Sequence, residues 1–264
     1  IEFLKERAND KNQPWYFWLC YAGVHGPYTP AERHANMYLD QPDIPIPKDV
    51  FGPRPNKPDY MHDMSMWEKD ENGKPIHNKR PLDSWVKQYN QTVKSIDEGV
   101  GRIMKALKET GQLDNTIIIF TSDNGYAWGQ HGFKLKVAPY DANLLTPLIV
   151  CYPNKFAIGR ECNYPVNGVD IIKTIHALCN VIPSNKLDGR DFSDLLQHPT
   201  SENWDETPMI QVYTGGIYGT EALTKELNMA HSTDNWEKFV VHTTGIRAWI
   251  MMRKGDFKYI RYID

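Results

Sequence analysis

No stretch of this 264-residue chain approaches the roughly 20 consecutive apolar residues that a membrane-spanning helix needs. Nor is there any cluster of one sign of charge. The 30 Lys and Arg are scattered among 33 Asp and Glu for a net charge of −3, which excludes the electrostatic footprint of a nucleic-acid or membrane-surface binder. Cysteine is scarce. Cys20, Cys151, Cys162 and Cys179 fit no CxxC or Cys/His metal spacing, and free thiols are the simplest reading of them. Internal repeats and low-complexity tracts are also missing. The opening, IEFLKERANDKNQPWYFWLCYAG, has no initiator Met and none of the basic head, apolar core and small-residue cleavage site of a signal peptide. It is expected to begin partway through a longer protein. One sequon, Asn90-Gln91-Thr92, falls inside a predicted helix and carries little weight.

What is present reads as an ordinary globular α/β chain, 41% hydrophobic and 24% charged. Trp15 to Ala22, WYFWLCYA, is an unbroken apolar run that suits a strand buried on both faces, and GVHGPYTP ends it. From Pro30 to Pro81 recurrent prolines rule out long regular elements and predict a surface excursion. Ser84 to Thr110 is predicted as a helix. Val86, Tyr89, Val93, Ile96, Val100, Ile103 and Leu107 recur at spacings of three and four, Asp83 or Ser84 is placed to cap its start, and Gly111 stops it. Strands follow at Asn115–Thr121 and Pro147–Tyr152, then a helix at Val169–Cys179. That order predicts a mostly parallel sheet flanked by helices. Beyond GRDFSDLL, shorter strands are expected at 209–214, 238–243, 246–252 and 257–262, the last two as a hairpin around Lys254-Gly255. They define a small C-terminal antiparallel β region. The natural division is 1–197, containing the excursion at 30–81, and 198–264.

In open parallel sheets, ligands gather where strands end. Asp123 and Asn124 follow the strand TIIIFT, and a carboxylate beside an amide oxygen is a hard-oxygen pair suited to Ca²⁺ or Mg²⁺. Asp-Asn-Gly is equally a common turn sequence. His131, Lys134 and Lys136 come next, with donors able to grip a tetrahedral oxyanion, although a solvated charged loop would read the same way. His25 ends the other apolar run, and a structural histidine is the alternative to a functional one.

Taken in order, these residues resemble a known family. The block TSDNG…GQHG…K…YD…TPLIV looks like the second half of a sulfatase of the alkaline phosphatase superfamily. PWYFWLCYAGVHGPYTP, YNQTVKSIDEGVGRIMKALKETGQLDNT, VDIIKTIHALCNV, LDGRDFSDLL and RAWIMMRKGDFKYIRY resemble further family segments in the same order. The resemblance implies that 1–197 is the C-terminal part of the catalytic α/β domain, and that 198–264 is a variable insert followed by the start of the C-terminal β subdomain.

It also implies metal ligation by Asp123 and Asn124, with Ca²⁺ expected over Mg²⁺. Lys136, rather than Lys134, falls at the spacing of the family's catalytic lysine, with Tyr140-Asp141 just beyond it. His25 falls at the sulfate-contacting histidine, and His131 is implied as a substrate contact. Two departures stand out. Leu145 occupies a position where the family commonly has arginine. The Cys-x-Pro-Ser-Arg motif whose cysteine becomes formylglycine is absent, as is the pair of aspartates that completes the metal site. Cys151-Tyr-Pro-Asn-Lys155 imitates the motif but lacks its Ser and Arg.

The implied activity is hydrolysis of a sulfate monoester, on a carbohydrate, with this chain supplying half of the active site. The missing N-terminal portion of the same protein, carrying the formylglycine, would supply the other half. No nucleic-acid or membrane partner is expected. The resemblance implies a periplasmic, secreted or lysosomal setting. The alternatives are a phosphodiesterase or phosphonate hydrolase of the same superfamily, or a non-catalytic cation-binding module.

Overall fold

The computed structural model describes residues 1–10, 12–156, 159–200, 204, 207–213 and 248–262. The chain begins with helix α1 (Glu2–Arg7) and the short strands β1 (Glu68–Lys69), β2 (Pro75–His77) and β3 (Arg80–Pro81). The long helix α2 (Leu82–Glu109) follows, then β4 (Ile118–Thr121), β5 (Ala127–Trp128), β6 (Lys134–Leu135), α3 (Asp141–Leu144) and β7 (Leu148–Cys151). Helices α4 (Gly168–Leu178) and α5 (Ser193–Gln197) precede strands β8 (Met209–Tyr213), β9 (Trp249–Lys254) and β10 (Phe257–Tyr262). These elements fall into two compact units, one of residues 1–119, 126–135 and 151–155, the other of residues 120–125, 136–150 and 156–264.

The first unit is organised on α2, which starts two residues before the predicted Ser84. Neither predicted cap is used at its start. Asp83 instead accepts the Ile44 N–H at 2.7 Å and pairs with Lys87, which ties the excursion to the helix. The stop is as expected: Gly111, at φ +67°, lets Gln112 N–H reach back to the Leu107 carbonyl. The predicted apolar stripe is only half covered, and Val93 is exposed. The most buried positions in the middle of α2 are the polar Lys87, Gln91 and Thr92. The reason is local: residues 37–41 lie over that face, and Lys87 Nζ and Gln91 Nε2 donate to the Gln41 and Met37 carbonyls.

The Pro-rich segment has no helix longer than a single 3₁₀ turn, as its prolines require. It is more than surface, however. Val50, Trp67 and Leu82 form a buried cluster, and the guanidinium of Arg54 is buried with them in the same unit.

The expectation for Trp15–Ala22 is corrected. This run forms no strand, and Tyr16 and Trp18 are 65% and 68% exposed. A strand is buried by its neighbours, and among the described residues this run has no ladder partner. Its attachments are lateral: Trp15 Nε1 donates to Gln112 Oε1, and Tyr21 lies against Gly99 of α2.

In the second unit, α4 carries a capping box in which Asn167 and Asp170 satisfy one another's backbone N–H groups. Buried Asp170 also accepts from Arg190 N–H at 2.7 Å, and the Arg190 guanidinium stacks 3.9 Å over Trp204. Strands β4 and β7 pair as a two-stranded sheet, shorter than the predicted 115–121 and 147–152 and only half-buried, with Ile149 exposed. The C-terminal antiparallel region is present as expected, in the order β10-β9-β8, with Phe257 opposite Lys254 across the turn at Gly255. The strand expected at 238–243 lies outside the described residues.

Candidate active site

The turn after β4 is built so that two oxygens remain available. Asn124 Nδ2 donates to the Gly125 carbonyl at 2.7 Å, which leaves Oδ1 as the acceptor of that side chain. Asp123 beside it is exposed. Gly125 N–H donates to the Asn143 carbonyl at 2.8 Å, docking the turn on α3. A Cβ at Gly125 would lie 2.4 Å from the Ala142 carbonyl oxygen, so the position tolerates glycine alone. One carboxylate and one amide oxygen fit a hard divalent cation by donor type, but such ions take six or more oxygens. Among the described residues, no group of three or more His, Cys, Asp or Glu gathers in metal-binding fashion.

Lys136 lies in the same unit, half-buried in a bend whose flanking residues, Leu135 and Val137, have φ of +79° and +76°. Left-handed backbone at non-glycine residues is costly and persists only where surrounding contacts impose it. Here Trp249 Nε1 donates to the Val137 carbonyl at 2.8 Å, Lys258 pairs with Asp141 at 2.5 Å, and the Tyr262 and Tyr140 hydroxyls meet at 3.0 Å. The C-terminal sheet therefore holds the Lys136 loop in place.

The two histidines belong to the first unit. His25 is exposed in the turn after the aromatic run, with Nδ1 3.1 Å from the Gly26 carbonyl. The turn is anchored by buried Tyr28, whose hydroxyl donates to Tyr126 at 2.8 Å and whose ring packs against Trp85, Tyr89, Tyr126 and Trp128. Tyr126 follows Asn124 by two residues in the chain. Burial and the Tyr28 contact raise its phenol well above the ordinary range, so it stays protonated and hydrogen-bonding.

His131 adopts the left-handed conformation at φ +54° and places Nδ1 2.6 Å from Asp49 Oδ2. Burial lowers its pKa, and the neighbouring carboxylate only partly opposes that, so the imidazole is neutral at pH 7.

Lys134 and Lys136 separate here. Lys134 sits 5.3 Å over the Trp85 ring in the first unit, its pKa lowered by burial, and it helps to depress His77, whose own burial is the larger cause. No hydrogen bond or ion pair is recorded for Lys136 among the described residues. Thus Asp123, Asn124 and Lys136 share one unit, and His25 and His131 the other. Nothing in the sequence pointed to Asp49 or to the Tyr28–Tyr126 pair. Asp49 stands in a segment that reads as excursion, and a tyrosine hydroxyl has no spacing signature.

Comparison with known proteins places this chain. Residues 1–181 match the family described as Sulfatase, and residues 129–255 match N-sulphoglucosamine sulphohydrolase, C-terminal. An arylsulfatase of Clostridium perfringens is 27% identical over 76% of the chain and 41% of its own length. An N-acetylglucosamine-6-sulfatase of Capra hircus is 26% identical over 86% of the chain and 39% of its own length. The chain thus spans about two-fifths of these relatives. Among solved structures, a protein in complex with its substrate D-glucosamine-2-N,6-O-disulfate superposes with a TM-score of 0.73 at 20% identity, over 99% of this chain and 60% of that one. A phosphonate monoester hydrolase of Agrobacterium radiobacter gives 0.55 at 24% identity, over 69% and 33%.

Proposed function

The chain belongs to the sulfatase family, and on that premise we propose that it supplies the cation-ligand and leaving-group side of an active site that hydrolyses sulfate monoesters of a carbohydrate. The observation that carries the reading is the Asp123-Asn124-Gly125 turn, docked on α3 through a glycine that cannot be replaced, in the unit that also holds Lys136. The relatives named for N-acetylglucosamine-6-sulfate and the substrate complex among the fold neighbours support a sulfated sugar.

In this reading Asp123 and Asn124 Oδ1 are two of the ligands of a divalent cation, Ca²⁺ before Mg²⁺. When bound, that cation neutralises sulfate oxygens and acidifies the attacking group. The nucleophile is a formylglycine lying outside these 264 residues. The family resemblance assigns Lys136 to the ester oxygen, where negative charge grows as the S–O bond breaks, and either Lys136 or His25 to delivering the proton that the departing alcohol needs. Neutral His131, oriented by Asp49, accepts a hydrogen bond from a sugar hydroxyl.

The test is hydrolysis of 4-nitrophenyl sulfate by the intact protein. Lys136→Ala and Asp123→Ala should each lower the rate by about 10²-fold or more. Wild-type rates in both variants would end the proposal. The fold is shared with a phosphonate monoester hydrolase, so matched sulfate and phenylphosphonate esters belong in the same assay. A preference for the phosphonate would move the reading to that chemistry.

A further inference from the structure

A cavity opens in the first unit, apart from every residue of the candidate active site. Its volume is about 480 Å³, and it lies where the 30–44 segment passes the first turns of α2. Arg80, Asp83, Ser84, Lys87, Gln88 and Gln91 supply its polar lining, and exposed Leu39 stands on its wall.

The hydrogen-bond account of this lining is lopsided. Asp83 uses one oxygen for the Ile44 N–H and the other for Lys87. Gln88 Oε1 is taken by Arg80. Arg80 makes three bonds, two to Ser84 and that one, so two of the five N–H groups of a guanidinium are unassigned. Lys87 binds Asp83 and the Gln41 carbonyl, which leaves one ammonium proton. The amide NH₂ of Gln88 is likewise left over. Against these donors stands a single side-chain acceptor without an assigned donor, Gln91 Oε1, whose amide nitrogen is committed to Met37. Two cations stand with one carboxylate in this lining; Arg80 also lies 4.4 Å over the Trp85 ring, and burial lowers its pKa.

We propose that this cavity binds an anionic group of a sugar, carboxylate or sulfate, on Arg80, Lys87 and Gln88, with an adjacent hydroxyl donating to Gln91. The anion site stands on the lining alone. That the anion belongs to a sugar rests on the proposed function, and the cavity would then hold a charged unit of the substrate other than the one hydrolysed.

Calorimetric titration of the Lys136→Ala protein with sodium glucuronate and, separately, sodium sulfate tests it, because that variant removes a cation of the candidate active site. Saturable millimolar binding of at least one anion is expected. It should weaken at least tenfold in Leu39→Trp, which fills the cavity without touching the Arg80 clamp, and in Arg80→Gln, provided that both variants melt near the parent. Binding of glucuronate alone identifies a carboxylate site, and binding of sulfate alone a sulfate site. If neither anion binds, or if binding survives both substitutions, the proposal is overturned. Loss of arylsulfatase activity in the intact protein would remove the proposed function and leave this result standing.

Discussion

Arg54 shows how one side chain can fold a segment that prolines keep out of regular structure. Its Nε donates to the Asp49 carbonyl, one terminal nitrogen to Met61 and Met64, and the other to Val50. Four carbonyls fixed by one planar fork make a geometry that an ammonium cannot copy. Arg54→Met should cost about 3–5 kcal/mol, because buried acceptors lose charge-assisted bonds, and Arg54→Lys should recover only part of that. Thermal unfolding decides, and a lysine variant melting with the wild type would refute the fork. The neighbouring His131 makes a pH prediction. Burial holds its folded pKa below the usual value of about 6.5, so as pH falls past that value the unfolded chain takes up the proton first. Stability is full above about pH 6.5 and declines below it, until the folded imidazole also titrates. His131→Gln should flatten the decline in urea midpoint between pH 7 and 5.5. Equal slopes would mean that the imidazole is not buried. His77, lowered in the same direction, contributes with the same sign.

At the scale of elements, α2 offers a matched pair of glycines. A Cβ at Gly99 would lie 2.4 Å from the Tyr21 hydroxyl, whereas at Gly101, two residues on, it meets nothing within 4 Å. Gly101→Ala should therefore stabilise the protein by about 0.5–1 kcal/mol, the helix-propensity difference alone, while Gly99→Ala must also displace the Tyr21 ring and should gain less. If the two substitutions shift the melting temperature alike, Tyr21 does not pack there. The helix itself was legible because a 3.6-residue period is local information, and so was the C-terminal hairpin, with its alternation and Lys254-Gly255 turn. Burial was not legible to the same degree. Lys87 and Gln91 are buried because a distant strap happens to bring carbonyls to them, and the aromatic run is exposed because strand burial belongs to the neighbours.

Across the whole molecule, the second unit is discontinuous, assembled from 120–125, 136–150 and 156–264. The residue types of the candidate site could be read from Asp123-Asn124-Gly125 and Lys136, since a hard-oxygen pair and a lysine after a strand are visible in order. Their placement could not, because it depends on partners far along the chain: Asn143 under Gly125, and above all Trp249, more than a hundred residues from Val137. If that indole bond sets the strained backbone around Lys136, then Trp249→Phe, which keeps the ring in the core, should cost only about 1 kcal/mol of stability for one lost hydrogen bond. Under the proposed function it should also lower kcat on 4-nitrophenyl sulfate about tenfold with KM little changed, because Lys136 would act on the developing charge more than on the ground state. Ile250→Thr, facing solvent on the same strand, is the control for general damage to the sheet. A Trp249→Phe enzyme with wild-type kcat would show that the loop holds Lys136 without the C-terminal sheet, and that sheet would then play no part in building the site.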